Sequence, residues 1–113
     1  MIKRKEDMLY RERQLRDGVG VCKTADFLMP EEMKHCRLFG TITIEQGNSI
    51  GVHDHTNETE YYWIVSGEGV VTEATGDTVV RAGDLVITGN GATHAIRNEQ
   101  PEPLVFMALI ILD

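Results

Sequence analysis

From Val19 to Leu112 the chain is cut into short runs of β-forming residues by turn signals at close, fairly even spacing, and that punctuation limits what it can fold into. The runs are Val19 to Ala25, Arg37 to Glu45, Ile50 to His53, Glu60 to Ser66, Val70 to Ala74, Thr78 to Val80, Leu85 to Thr88, His94 to Asn98 and Leu104 to Leu112. Between them fall Gln46-Gly47-Asn48, Thr56-Asn57, Ser66-Gly67-Glu68-Gly69, Thr75-Gly76-Asp77, Ala82-Gly83-Asp84, Gly89-Asn90-Gly91 and Gln100-Pro101-Glu102-Pro103, each rich in the residues that turns demand. Nine short strands joined by tight turns predict an all-β closed or two-sheet barrel. Pro30-Glu31-Glu32-Met33 is expected to form one helical turn as a connector, because proline suits a first helical position and acids favour the N-terminal end.

A chain of 113 residues has room for one core, so residues 1–113 are read as a single domain. Residues 1–18 form an N-terminal arm of weak helical or irregular pattern, in which Met8, Leu9 and Leu15 stand among charges up to Asp17-Gly18. Net charge is −7, and it is unevenly placed: residues 1–17 carry six Lys or Arg against four Asp or Glu, which leaves five against fourteen for the rest. An acidic body repels phosphate backbones, so nucleic acid is not an expected partner. The longest apolar run, Leu104 to Leu112, is far short of the roughly 20 residues that span a bilayer, so no membrane partner is expected either. Met1 to Asp7 lacks the apolar stretch of a secretory signal, which leads to an expectation of a cytoplasmic protein with Cys22 and Cys36 as free thiols.

The chemistry concentrates in two segments. The first contains His53 and His55, two residues apart, so that on an extended strand both side chains face one way and can offer nitrogen to a single ion. Beyond the next turn Glu60, Tyr62 and Ile64 share one face of a strand, and Glu60 can return to the same place as an oxygen ligand. The second segment, Gly83 to Asn98, reads as strand, glycine turn and strand, and presents His94. Three imidazoles and a carboxylate suit one divalent transition-metal ion among manganese, iron, cobalt, nickel, copper and zinc. In a six-coordinate ion two positions stay open for a ligand.

These residues resemble the cupin superfamily, whose first motif is G-x5-H-x-H-x3,4-E-x6-G and whose second is G-x5-P-x-G-x2-H-x3-N. Gly47, His53, His55, Glu60 and Gly67 match the first at every spacing. Gly83, Gly91, His94 and Asn98 match the second, with Gly89 where the family usually has proline. The resemblance covers residues 37–112 and is greatest to small single-domain bacterial cupins. It implies a double-stranded β-helix, or jelly-roll barrel, with a metal ion on the four matching residues. A homodimer is implied too, with N-terminal strands often exchanged, which would give residues 1–25 a role.

Glu58 is the rival carboxylate to Glu60. Counting back from Gly67 selects Glu60, and Glu58 is expected on the surface. Tyr62 is a weak candidate for a proton relay or a donor to a bound anion; an inward tyrosine is more often core. Trp63 and Tyr61 are expected against the second sheet or a dimer partner, Asn98 in a turn-tying role, and His35 in solvent. Phe39, Met107 and Leu109 are expected on the pocket floor, as alternate apolar residues fill a barrel. The expected ligand is a small organic molecule. The resemblance permits a metal-dependent dioxygenase, an oxalate-type decarboxylase or an isomerase. The alternative is a non-catalytic small-molecule binding or sensing module.

Overall fold

A computed structural model describes residues 1–113. Its ten strands are β1 (Leu9–Arg13), β2 (Cys22–Asp26), β3 (Cys36–Ile44), β4 (Ser49–Asp54), β5 (Glu58–Ser66), β6 (Glu68–Glu73), β7 (Gly76–Arg81), β8 (Leu85–Gly89), β9 (Thr93–Arg97) and β10 (Leu104–Leu112). Six of them form one antiparallel sheet in the order β1-β2-β3-β10-β5-β8, and four form a second in the order β4-β9-β6-β7. Two antiparallel sheets folded face to face give the jelly roll. A single 3-10 turn at Pro30–Glu32 is the connector anticipated there.

The face each strand buries follows its two-residue alternation. In β10 Leu104, Phe106, Ala108 and Ile110 point inward, in β5 Glu58, Glu60, Tyr62 and Ile64, and in β3 Gly40, Ile42 and Ile44. Ile50, Val71, Val80 and Ile96 of the second sheet close over them. This parity corrects the expectation for Phe39, Met107 and Leu109. They occupy the opposite face of the same strands, and Phe39 packs edge-on against Phe27 with ring centroids 5.0 Å apart. Trp63, on that outer face of β5, is half exposed and does not meet the second sheet.

The arm is not helical along its length. Lys5–Asp7 make one 3-10 turn, but Leu9–Arg13 are a five-residue edge strand in register with β2, from Leu9 opposite Asp26 to Arg13 opposite Cys22. The β1–β2 connector turns through Arg16 and Asp17, both in the left-handed region at φ 54° and 56°, and lies on β4. There Gly51 N–H donates to the Leu15 carbonyl at 3.2 Å, and a Cβ on Gly51 would stand 2.0 Å from the Arg16 oxygen. Only glycine allows that approach.

Gly51 also sits in the one irregularity of the β4–β9 pair. Ile50 faces Ile96 and His53 faces His94, so β4 carries an extra residue between them. Strict alternation from a buried Ile50 would send His53 outward. The bulge reverses the parity, leaving Val52 in solvent and His53 turned inside.

Candidate metal centre

The four residues anticipated as ligands come together between the two sheets. His53 arrives on β4, His94 stands opposite it on β9, and Glu60 reaches across from β5 of the other sheet. His55 follows one residue after β4, held by its own backbone: its N–H donates to Ala92 and its carbonyl accepts from Gly91. Their ligand atoms all lie within 4.8 Å of one another. His55, Glu60 and His94 are 1%, 3% and 1% exposed, so water does little to screen them.

The outer ring nitrogens decide what the inner ones can do. His53 Nδ1 lies 2.8 Å from the Gly51 carbonyl, which can only accept, so the proton sits on Nδ1. His55 Nδ1 lies 2.6 Å from Glu58 Oε2 and donates to that carboxylate for the same reason. His94 Nδ1 stands 2.8 Å from the Thr88 hydroxyl. With the neutral tautomers of His53 and His55 set this way, Nε2 is a bare lone pair in both. The Nε2 atoms nevertheless crowd together, His53 to His94 at 3.0 Å and His55 to His94 at 3.1 Å.

Glu60 Oε1 completes the convergence. It lies 2.8, 3.0 and 3.7 Å from Nε2 of His55, His94 and His53, yet it makes no directional hydrogen bond and is a buried orphan. Lone pairs aimed at a common point repel one another unless a cation lies among them, and that is the demand a divalent ion meets. The donor set fits such an ion.

Charge balance reinforces this. Burial pushes the Glu60 carboxyl upward, and hydrogen bonding and charge from the facing imidazoles lower it when those rings carry the protons; with bare Nε2 atoms a cation has to supply that stabilisation. Burial lowers His94, opposed by the Glu60 carboxylate, and favours the neutral ring a metal ligand must be. Burial and then the adjacent Glu60 charge raise the Tyr62 phenol well above its ordinary value. Tyr62 stacks on His94 with ring centroids 5.0 Å apart at 16° and leans on Phe106.

Glu58 overturns the expectation that it is on the surface. It is buried, accepts from His55, and is clasped by Arg37 through two hydrogen bonds of 2.6 and 2.7 Å. Arg37 is the main reason its carboxyl falls to about 2. Glu58, Arg37, Thr88 and the Gly51 carbonyl therefore orient the rings, and the ligand pattern alone does not reveal them. Glu58 did carry a signal, since it shares strand parity with Glu60 and Tyr62. Asn98 ties its turn as expected: its amide donates to the carbonyls of Ile44 and Glu102, and its oxygen accepts from the Gln100 N–H. His35 is exposed, and both cysteines are free.

Gly89, the departure from the motif, ends β8 opposite Thr59, where a Cβ would lie 2.5 Å from the Thr59 hydroxyl oxygen. Glycine fits that crowded crossing without disturbing the turn that carries Gly91 toward His55.

A cavity of about 440 Å³ opens onto the cluster, with His53, His55, Glu60 and Tyr62 at its inner end. Its floor is Leu38, Ile42, Ala108 and Ile110, the parity opposite to the one anticipated.

Comparison with known proteins agrees with this architecture. The family profile described as Cupin domain matches residues 40–111. An oxalate-binding protein of Thermotoga maritima is 38% identical over 103 residues, covering 90% of this chain and 85% of that protein. The crystal structure of a predicted oxalate decarboxylase from Thermotoga maritima superposes with a TM-score of 0.93 at 35% identity, covering 100% of both chains. A sugar phosphate isomerase of Silicibacter pomeroyi shares the fold, with a TM-score of 0.72 at 16% identity over 81% of this chain and 60% of that one.

Proposed function

Since the chain belongs to the cupin family, we propose that it holds one divalent transition-metal ion on His53, His55, Glu60 and His94 and uses it to bind a small organic acid. The observation that carries this reading is the convergence of bare imidazole nitrogens and the orphaned Glu60 oxygen on one buried point. The ion would act as a Lewis acid toward carboxylate or enediol oxygens in its open positions. The oxalate-binding relative supports an acid as the ligand class.

The residues of the chain favour binding over turnover. Of the carboxylates that line the cavity, Glu60 belongs to the metal set and Asp26 is paired with Arg11. Tyr62 is a buried phenol whose proton is firmly held, which suits a hydrogen-bond donor and a packing wall for His94 better than a proton relay. Decarboxylation is the second reading, supported by the resemblance to a predicted oxalate decarboxylase.

The test is calorimetric titration of oxalate into manganese-loaded and chelator-treated protein, with carbon dioxide followed in parallel. The binding reading expects saturable heat in the loaded protein, none after chelation, and no gas released. Equal binding with and without metal contradicts it, and sustained carbon dioxide release selects the decarboxylase. The same reading includes a second copy of the chain as partner, placed against the apolar outer face of the six-stranded sheet, and a reducing, cytoplasmic setting for the free thiols.

A further inference from the structure

Besides Glu60 Oε1, two polar atoms in the cavity wall are buried and have no hydrogen-bond partner within the protein: Nε of Arg13 and Oγ1 of Thr24. Thr24 is 4% exposed. In the β1–β2 hairpin Arg11 stands opposite Thr24 and Arg13 opposite Cys22, the two buried residues of β2. Cross-strand partners share a face, so both arginines are on the cavity side of the sheet. Arg11 is already paired with Asp26, and Arg37 with Glu58. Arg13 joins no ion pair.

The wall as a whole is positive in an acidic protein. Four arginines, Arg11, Arg13, Arg16 and Arg37, line it against two carboxylates, Asp26 and Glu60, while the net charge of the chain is −7. With Arg11 paired to Asp26 and Arg37 to Glu58, Arg13 and Arg16 remain to attract an anion, while Glu60 stays available to the ion. Size adds a second constraint. Oxalate has six heavy atoms and displaces two or three waters, roughly 60–90 Å³ at about 30 Å³ per water. The cavity is about 440 Å³, and its outer wall includes Leu28, Met29 and Met33. Oxalate would leave most of that space unused.

We propose that Arg13 and Thr24 form an anion-recognising subsite in the cavity wall, and that the ligand is an organic diacid larger than oxalate, with one carboxylate toward the ion, the other on the subsite and an apolar chain between them. The subsite rests on the metal-dependent acid-binding reading and deepens it by naming the acid. The N-terminal hairpin thereby becomes a recognition element. A carboxylate accepting from Arg13 and from the Thr24 hydroxyl would satisfy both atoms, as charged hydrogen bonds to arginine do elsewhere.

The experiment is calorimetric titration of manganese-loaded full-length protein with 2-oxohexanedioate, oxalate and 2-oxohexanoate, which lacks the distal carboxylate, with metal content and melting temperature measured on every variant. In the wild type the oxo diacid should bind at least tenfold more tightly than oxalate or the monoacid. Arg13→Met should weaken the diacid at least tenfold, and Thr24→Val, which keeps the volume, about threefold to tenfold, with metal content unchanged. Tight oxalate binding with no preference for the larger diacid overturns the size argument. Diacid affinity unchanged in Thr24→Val and in a folded, metal-replete Arg13→Met overturns the subsite while leaving the metal reading intact. Failure of the loaded wild type to bind any of the three acids overturns both.

Discussion

At His55 the two ring nitrogens have separate tasks: Nδ1 gives its proton to Glu58 and Nε2 turns to the cluster. The ring therefore depends on a residue that is not a ligand, and Glu58 in turn depends on Arg37. Glu58→Gln should weaken metal binding about 10–100-fold, the usual cost of losing a carboxylate behind a ligating histidine, measurable by competition with a metallochromic chelator. A pH effect follows from the same pair. The Glu58 carboxyl is lowered from 4.5 to about 2, so the unfolded chain binds the proton more readily than the folded one. Its contribution to stability is complete above pH 4.5 and is lost as pH falls toward 2. Acid titration of the metal-free protein, followed by circular dichroism, should show this loss, and Glu58→Gln should flatten it. The candidate ligands were legible as a cluster because their spacing is tied to strand parity and turns. Arg37 was not, since its approach from β3 depends on how two distant strands pair.

Among the elements, the extra residue in β4 governs the site. Its trace in the sequence is Gly51 inside a strand, and the reversal of parity between Ile50 and His53 is visible only once β9 is in register beside it. Gly51→Ala would drive a Cβ against the Arg16 carbonyl and should cost about 1–3 kcal/mol, as overpacking against backbone does, seen as a melting temperature several degrees lower. Strand β1 was illegible for another reason. Leu9-Tyr10-Arg11-Glu12-Arg13 has charges on both faces, as an edge strand over a polar opening can, so it shows neither strand nor helix periodicity. The pocket floor was misassigned because β10 is apolar on both faces, which leaves its parity undetermined from sequence, while in β3 the alternation of Thr41 and Thr43 with Ile42 and Ile44 does mark the inner face.

For the whole molecule, that two-sided apolarity has a consequence. Trp63 and Val65 of β5 and Leu85 and Ile87 of β8 lie exposed on the outer face of the six-stranded sheet. In the proposed function this apolar sheet face seats a second copy of the chain. Ile87→Lys should convert the dimer to a monomer by light scattering without altering metal content; an unchanged mass would place the interface elsewhere. The jelly roll itself was readable from turn punctuation and motif spacing. The central claim, however, is chemical: four side chains from two sheets gather one ion. It is tested most directly by metal uptake in tag-free, chelator-stripped protein titrated with manganese, iron, nickel and zinc. The account predicts close to one ion per chain and a higher melting temperature, worth about 2.7 kcal/mol at a hundredfold excess over Kd, both lost when His53 and His55 are changed together to Ala. A wild type that takes up no ion, or a double variant that takes up as much as the wild type, would contradict it.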